Sequence, residues 1–584
     1  MTPQTIPDLL RRAGAQSGTR LALRQPAGKG EALTWTWSQY LEAAEEIAAG
    51  LRALGVGKGD HIALCSETRA EFYLADQGVL MNGSVAGALY PSYPPEELKR
   101  TIANADAKAL FVEDAKMFGK LRDAPVNHFI LLTGEAEGAL SLAALRKMGR
   151  DAGIRPFDVS PADNAILYLT SGATGEPKMV MVTHGAIVSN ILMGPAVLPL
   201  TPDDITIAFL PSAHIAQRVV VEILPILSGA AVSFAESLAR LQPEIKAVRP
   251  TWFLAPPRVW ERVYTSIRAE ILKKPAAARK AFFAALGLGM AAARYKREGK
   301  KVPLRISVPL HLAQRFIFSK IRERFGGRLR VAASGAAPLG ADLAEFYEAI
   351  GMPLIEGYGL TEGGVAALNP LDAARPGSIG KALPGVEFRI GEEGELQIRS
   401  GCLLREYYKD PVATAEVLQD GWLHTGDVGT IDAEGYIYIT GRKKELIVAS
   451  NGKKIFPSRV ETMFKFEPLV NQVLLAGDRL PHLVALFTIH PAIAESIRGT
   501  NDQGIPLHES PAVVAEMQKI VSRVNKQLAP FEQVKRFRIL PREFSIEHGE
   551  VTATMKVRRK QVMENFRAEL DSLYQLSASG RGGE

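Results

Sequence analysis

The chain has 584 residues, 47% of them apolar and 23% charged, which excludes disorder for the chain as a whole and asks for two or more domains. Two cysteines, Cys65 and Cys402, stand far apart in no CxxC or Cys/His cluster, so neither a disulfide framework nor a zinc site is expected; each reads as a small buried hydrophobe in a reducing compartment. The net charge of +7 is concentrated in one segment: residues 271–330 hold 16 Lys/Arg against two Glu, and the rest of the chain is net acidic.

In chain order, Met1–Leu10 carries Pro3, Pro7 and Asp8 with no apolar core, so it does not read as a signal peptide. Helical spacing is read at Pro7–Ala15 and Trp37–Leu54. Short apolar strands are read at His61–Ser66, Ser84–Tyr90, Ala109–Val112 and Phe129–Leu132, with an amphipathic segment at Pro94–Ala103. The middle repeats the theme, with strands at Ala165–Leu169, Ile205–Leu210, Ala230–Phe234, Thr251–Leu254 and Leu329–Ala333. This alternation predicts an α/β fold with a largely parallel sheet.

Between the last two of those strands lies the basic segment, which also carries Phe282, Phe283, Leu286, Leu288, Met290, Leu312, Phe316 and Ile317. Its longest uncharged run, Ala281–Ala293, is too short to span a bilayer. A solvated helical face packing its apolar side inward is the preferred reading; peripheral membrane contact through 271–330 is the alternative. The expected location is therefore cytoplasmic, with membrane association as the variant.

From Gly377 the texture changes to short strands with Gly turns (Val386–Ile390, Glu395–Arg399, Tyr436–Thr440), which predicts a small β subdomain. A boundary is read near Gly441–Lys444. Beyond it come Leu446–Val448, a helix at Pro457–Phe466, strands near Val473–Leu475 and Leu483–Thr488, and helices after Ser510. The expected organisation is a core over residues 1–442, an α+β C-terminal domain over 443–576, and a Ser/Gly-rich disordered tail over 577–584.

Residues 164–178 carry the chemistry. An apolar strand runs into a hydroxyl- and glycine-rich turn, Thr170-Ser171-Gly172-Ala173-Thr174-Gly175, that ends on Lys178. Glycines let backbone N–H groups approach an oxyanion, hydroxyls add donors, and the lysine adds charge for polyphosphate. The spacing is not that of a Walker A loop, and a Gly-rich surface turn is the plain alternative.

Tyr168–Lys178 resembles the phosphate-binding motif of the adenylate-forming superfamily, which includes acyl-CoA synthetases, luciferases and peptide-synthetase adenylation domains. Glu356-Gly-Tyr-Gly-Leu-Thr-Glu362 resembles its second core motif. Gly421-Trp-Leu-His-Thr-Gly-Asp427 and Tyr438-Ile-Thr-Gly-Arg442 resemble its ribose-binding motifs. Thr552-Ala-Thr-Met-Lys556, followed by Arg558-Arg559, resembles its catalytic-lysine motif. Pro250–Arg262, Leu210–His214 and Gly441–Ile447 are most similar to long-chain fatty acid–CoA ligases. Three positions depart from the pattern: Ala173 for Thr or Ser, Met179 for Gly, and Gln217 for Glu.

The resemblance implies a large N-terminal domain of α/β and β subdomains, a small mobile C-terminal domain, and ATP, Mg²⁺ and coenzyme A as reactants. Glu362 would hold Mg²⁺, Thr361 would contact the α-phosphate, and Lys556 would bridge the substrate carboxylate and that phosphate. Thr170, Ser171, Gly172, Thr174, Gly175 and Lys178 would hold the β- and γ-phosphates. Asp427 and Arg442 would take the ribose; Tyr358, Gly359 and the stretch Gly335, Ala336 and Ala337 would border the adenine. His214 would wall the acyl pocket. Lys444 would be the hinge, Gly452 would line the pantetheine tunnel, and Lys454 with Lys453 would meet coenzyme A phosphates. Each has a plain alternative: a turn residue for Asp427, core for Tyr358, a satisfied core histidine for His214, one charge of a basic run for Lys556.

The leading expectation is a fatty acid–CoA ligase. Transfer to a carrier-protein phosphopantetheine, an aryl-acid ligase, and a non-catalytic binding protein are the competing ones. A nucleic-acid role is not expected, since no recognition motif accompanies the basic segment.

Overall fold

The computed structural model describes residues 2–28, 30–153, 157–170, 178–450, 452–499, 502–552 and 555–575. Its largest sheet has eight strands, in the spatial order Glu406–Tyr407, Lys178–Thr183, Asn164–Thr170, Val85–Leu89, His61–Cys65, Ala107–Val112, His128–Leu131 and Leu140–Ser141. The middle of this sheet is parallel, with Ala63 beside Gly87 and Leu110. These middle strands are buried on both faces, hence their unbroken apolar runs.

Helix Trp37–Ala53 packs between Ala70–Met81 and Leu142–Ala152. Thr36 opens it with a capping box to Gln39. Gly149 lets the last helix touch it, because a Cβ there would collide with the carbonyl oxygen of Glu46. Every residue of Ala70–Met81 is buried, the polar Glu71, Asp76 and Gln77 included.

A second sheet runs Trp252–Ala255, Val331–Ser334, Leu354–Leu360, Gly364–Leu368 and Lys381–Ala382. Its first three strands are parallel, so their carboxyl ends open on one edge, where a ligand crevice forms in open α/β sheets. Strands Leu21–Gly28, Glu31–Thr36, Ile205–Ala208 and Ala231–Phe234 form a third sheet. Glu387–Ile390, Glu395–Arg399, Leu418–Gln419, Trp422–Ile431 and Ile437–Arg442 form the expected β subdomain.

Beyond residue 446 the chain makes its own apolar clusters. Val460, Phe464, Val473, Phe487 and Met517 anchor one; Leu474, Leu486, Phe544 and Val562 anchor the other. The central strands here are Val470–Ala476, Leu483–Ile489 and Val534–Ile539. Three contacts join this unit to the preceding core at named side chains. The Tyr264 ring stacks on Phe466 with centroids 4.8 Å apart, Arg258 donates to the backbone and side-chain oxygens of Asn471, and Arg558 lies over the Tyr93 ring at 5.9 Å.

The basic segment is helical: Ala276–Arg297, Leu304–Ala313 and Ser319–Arg322, the last two joined by a π-helical turn, Gln314–Phe318. The first of these runs past the uncharged stretch that the sequence shows. At 22 residues it is long and apolar enough to cross a membrane by length and composition alone, while its uncharged stretch Ala281–Ala293 remains short of a span. Its buried residues Phe282, Ala285, Gly289, Ala292 and Ala293 instead form a packed face, and Gly289 gives close approach to Ala349. Both cysteines are free and buried, as expected. The mixed α/β architecture with a separate C-terminal unit matches the expected fold class.

Candidate active site

The best-defined part of the site is a buried carboxylate. Asp427 on Trp422–Ile431 sits opposite Arg442 on Ile437–Arg442 in an antiparallel register, so pairing of the backbones brings the side chains together. Arg442 Nε donates to Asp427 Oδ1 at 2.9 Å, and the Tyr358 hydroxyl donates to Oδ2 at 2.7 Å. Asp427 raises the Arg442 guanidinium above its ordinary range; burial and then Asp427 push the Tyr358 hydroxyl up. A carboxylate has about four lone-pair sites, so each oxygen keeps one for a further donor such as a sugar hydroxyl.

Two turns lie at the carboxyl edge of the second sheet, whose strand Leu354–Leu360 carries Tyr358. Gly335 and Ala336 follow the strand Val331–Ser334, and Ala336 has a left-handed backbone, φ +69°. Such strain in a non-glycine residue costs about 1–3 kcal/mol and gathers at functional loops. Glu356 pins the far end of this loop: its carboxyl accepts the Leu339 N–H at 2.9 Å, and burial pushes it up to about 8. Gly359 lies where the strand Leu354–Leu360 turns back; a Cβ there would meet the Gly364 carbonyl oxygen at 2.5 Å.

On the phosphate side, Thr170 and Lys178 are register partners that close the mouth of the loop, and Thr170 Oγ1 donates to the Lys178 carbonyl oxygen at 3.2 Å. Ser171, Gly172, Ala173, Thr174 and Gly175 lie outside the described residues. Lys178 Nζ stands 4.5 Å above the Tyr407 ring, whose hydroxyl donates to Glu362 Oε1 at 2.8 Å. Tyr407 thus ties the lysine of one motif to the glutamate of another. Among the described residues, Glu362 Oε2 and the Thr361 hydroxyl have no protein partner, and no group of three His, Cys, Asp or Glu side chains could hold a metal alone. One hard oxygen ligand fits Mg²⁺ that arrives on nucleotide phosphates, not an ion caged by the protein.

Lys556 comes from the C-terminal unit and enters the same cleft. It keeps solvent access, yet burial and then the Arg442 charge hold it down to about 8, against the pull of Asp427, Glu362 and Glu445. Its backbone N–H bonds Thr552 Oγ1 at 3.1 Å. His214 faces it from the core: burial and then the Lys556 charge hold the imidazole down to about 3. Its Nδ1 accepts the Ala216 N–H at 3.1 Å, which fixes a neutral ring with the proton on Nε2.

Directly after His214 the chain forms a π-helix, Ala216–Ile223. It aims Gln217, Arg218 and Glu222 at the buried helix Ala70–Met81. Arg218 pairs with Asp76, its Nη1 donates to the Ala86 carbonyl oxygen at 3.3 Å, and it lies 5.7 Å over the Tyr168 ring. Gln217 Nε2 donates to the Tyr73 hydroxyl at 2.9 Å, and Gln77 Nε2 to Glu222 Oε1 at 3.3 Å. The departure at Gln217 is therefore accommodated by a tyrosine.

Lys444 lies exposed in the short turn Lys443–Glu445. Gly452 has φ +78° with nothing within 4 Å of an added Cβ. Its left-handed backbone favours glycine, and the space beside it is free of protein atoms. Lys454 is exposed on the strand Lys454–Ile455, and Lys453 Nζ lies 5.9 Å from the Phe531 ring. Lys556, His214, Asp427, Arg442, Tyr358 and Glu362 converge.

Sequence reasoning missed Tyr407 and the anchoring role of Glu356. The doubled tyrosine before Lys409-Asp410-Pro411 marks a turn, and nothing in its spacing points to Glu362. Only the pairing of Glu406–Tyr407 with Lys178–Thr183 brings the two together.

The chain matches the AMP-binding enzyme family over residues 10–408 and the AMP-binding enzyme C-terminal domain over 444–578. It is 33% identical over 562 residues to the long-chain-fatty-acid–CoA ligase FadD15 of Mycobacterium bovis, covering 92% of each chain. Among solved structures, the adenylation domain of a carboxylate reductase from Mycobacterium chelonae superposes with a TM-score of 0.81 at 22% identity, covering 98% of this chain and 91% of that one. The anthranilate CoA ligase AuaEII, bound to anthranoyl-AMP, gives 0.74 at 21%, with 97% and 98% covered.

Proposed function

The chain belongs to the AMP-binding enzyme family, and from that premise we propose that it is an ATP-dependent acid–thiol ligase that activates a medium- or long-chain fatty acid and passes it to coenzyme A. The observation that carries this reading is the convergence of Lys556, His214, Glu362, Asp427, Arg442 and Tyr358 on one cleft from segments up to 342 residues apart in number. A fatty-acid substrate is supported by the similarity to FadD15, a long-chain-fatty-acid–CoA ligase.

In the first step a carboxylate oxygen attacks the α-phosphorus and the bond to the β-phosphate bridging oxygen breaks; the products are acyl-AMP and pyrophosphate. Two anions must meet, so the site has to supply positive charge. Lys556 does so from the C-terminal side. Protonated below about 8, it holds both the carboxylate and the α-phosphate while charge moves between them. Lys178, kept in place over Tyr407, holds the leaving phosphates at the other end. Asp427 accepts the ribose hydroxyls, with Arg442 and Tyr358 fixing its orientation. Mg²⁺, when bound at Glu362, supplies charge neutralisation to the polyphosphate.

His214 contributes a neutral, uncharged wall beside the reacting carboxylate. In the second step the coenzyme A sulfur attacks the acyl carbon, the bond to the phosphate oxygen breaks, and AMP leaves. Residues 1–442 serve as the nucleotide and acyl core, and 443–576 as the unit that carries Lys556 and turns about Lys444 between steps.

The test is thioester formation from ATP, Mg²⁺, coenzyme A and fatty acids graded by chain length, with aryl acids included. Thioester with fatty acids is expected. Acyl-AMP formation with no coenzyme A thioester from any acid would overturn the acceptor and leave a carrier-protein thiol in its place.

A further inference from the structure

The helical run 304–322 buries one side and leaves the other bare. Ala313, Phe318 and Ile321 are buried, and the Phe318 ring meets Phe282 edge-on with centroids 6.0 Å apart. The outward side carries Leu304, Val308, Leu312 and Phe316, exposed by 78%, 58%, 53% and 62%. Their four-residue spacing makes them one stripe along the helix. A soluble helix normally shows polar residues on its outer face, so large apolar side chains in register there mark a contact surface.

The same run is basic. Residues 299–322 contain Lys300, Lys301, Arg305, Arg315, Lys320 and Arg322 with no Asp or Glu. Lys301, Arg305 and Lys320 have no hydrogen bond or ion pair among the described residues, and Arg315 lies only over the neighbouring Phe316 ring at 6.0 Å. The preceding helix adds exposed Phe283 and Met290 beside Arg279, Lys280 and Arg294.

We propose that this face seats the protein on an anionic membrane surface, the stripe entering the boundary between headgroups and acyl chains and the cations meeting lipid phosphates. Single apolar side chains set between free cations suit that boundary, where each long basic side chain reaches back to the headgroups. A second copy of the chain fits poorly, since a two-fold contact would set the same unpaired cations against each other. The surface belongs to the core and stands apart from the cleft, so the proposal goes beyond the ligase reading and does not depend on it.

Co-sedimentation of the full-length protein with vesicles tests it. Phosphatidylcholine alone is compared with phosphatidylcholine holding about one quarter phosphatidylglycerol, because each basic side chain near an anionic surface is worth about five-fold in partitioning. The protein is expected to sediment with the anionic vesicles and to be released by high salt. Arg305→Glu with Arg315→Glu, and separately Leu312→Glu with Phe316→Glu, should each lower the partition coefficient by about ten-fold or more at unchanged ATP–pyrophosphate exchange with a soluble acid. Equal sedimentation with both vesicles, or pairs that bind as wild type, would overturn it. So would a dimer in sedimentation velocity that the Leu312/Phe316 pair dissolves while vesicle binding is unchanged.

Discussion

Replacing Tyr407 with phenylalanine deletes one atom, the hydroxyl oxygen that donates to Glu362 Oε1 at 2.8 Å, and keeps the ring 4.5 Å below Lys178 Nζ. A hydrogen bond to a charged group contributes about 1.5–3 kcal/mol. Glu362 is only half-buried, so water can take the vacated place, and the low end applies. That end corresponds to about a ten-fold loss of kcat/KM for ATP in pyrophosphate exchange, with a rise in the Mg²⁺ concentration that gives half the maximal rate. Tyr407→Ala also removes the ring. A cation–π contact at a partly exposed site is worth about 0.5–1 kcal/mol, a further two- to five-fold.

The two substitutions separate the two contacts. Tyr407 is buried, so the alanine variant also leaves a cavity, and its melting temperature has to be read beside its rate. The phenylalanine variant has no such cost. If Tyr407→Phe stays within about two-fold of wild type, Glu362 is not positioned through Tyr407. If Tyr407→Ala is no slower than Tyr407→Phe, the ring does not hold Lys178 for phosphate.

Lys556→Met should lower adenylation by about a hundred-fold or more while sparing thioester formation from chemically prepared acyl-AMP; equal loss of both steps would contradict the assigned role. Because burial and Arg442 hold Lys556 down to about 8, it is charged below that pH and neutral above, so kcat/KM for adenylation should fall as pH rises through about 8. A profile flat to about pH 10, near the ordinary lysine value, would count against it. Arg218→Ala leaves the buried Asp76 carboxylate without its cation and should cost about 3–5 kcal/mol in urea unfolding. Burial and then Asp76 push Glu222 up, which favours its neutral form; Glu222→Gln should cost less than about 1 kcal/mol, and a loss matching that of Arg218→Ala would show Glu222 to be ionised. Arg258→Ala removes the bonds to Asn471 and should slow adenylation by about five- to ten-fold, leaving transfer from acyl-AMP unchanged.

The strands of the parallel core were legible because burial on both faces writes them as plain apolar runs: His61–Cys65 and Ala107–Val112 lie within two residues of their expected limits. Among the antiparallel strands, Glu387–Ile390 and Glu395–Arg399 were legible too, but Lys178–Thr183 and Gly364–Leu368 were not: they sit next to motif turns and are held by register with a neighbour more than by their own pattern. The π-helix Ala216–Ile223 was invisible for a related reason. Its extra residue per turn is set by where Gln217, Arg218 and Glu222 must reach in the core, a demand that comes from Tyr73, Asp76 and Gln77 on a helix about 140 residues earlier. Likewise Asp427 and Arg442 were readable as separate motifs, but that they share one carboxylate with Tyr358 depends on pairing the sequence does not display.

The Tyr264–Phe466 stack, the Arg258–Asn471 bonds and the Arg558–Tyr93 contact tie the C-terminal unit to the core and together are worth about 3–5 kcal/mol. A difference of that size between two arrangements of one chain is one that a bound anion can overturn. In the arrangement seen here Lys556 enters the cleft, where burial and then the Arg442 charge disfavour its own charge. A nucleotide phosphate removes that penalty, so nucleotide binding and closure should favour each other, and loss of pyrophosphate should weaken both. The helix Pro257–Leu272, which carries Arg258 and Tyr264, packs against Ala276–Arg297, and that helix packs in turn against Leu304–Ala313. A protein seated on lipid through 304–322 would therefore keep the receiving side of this closure fixed and leave the lighter C-terminal unit free to turn.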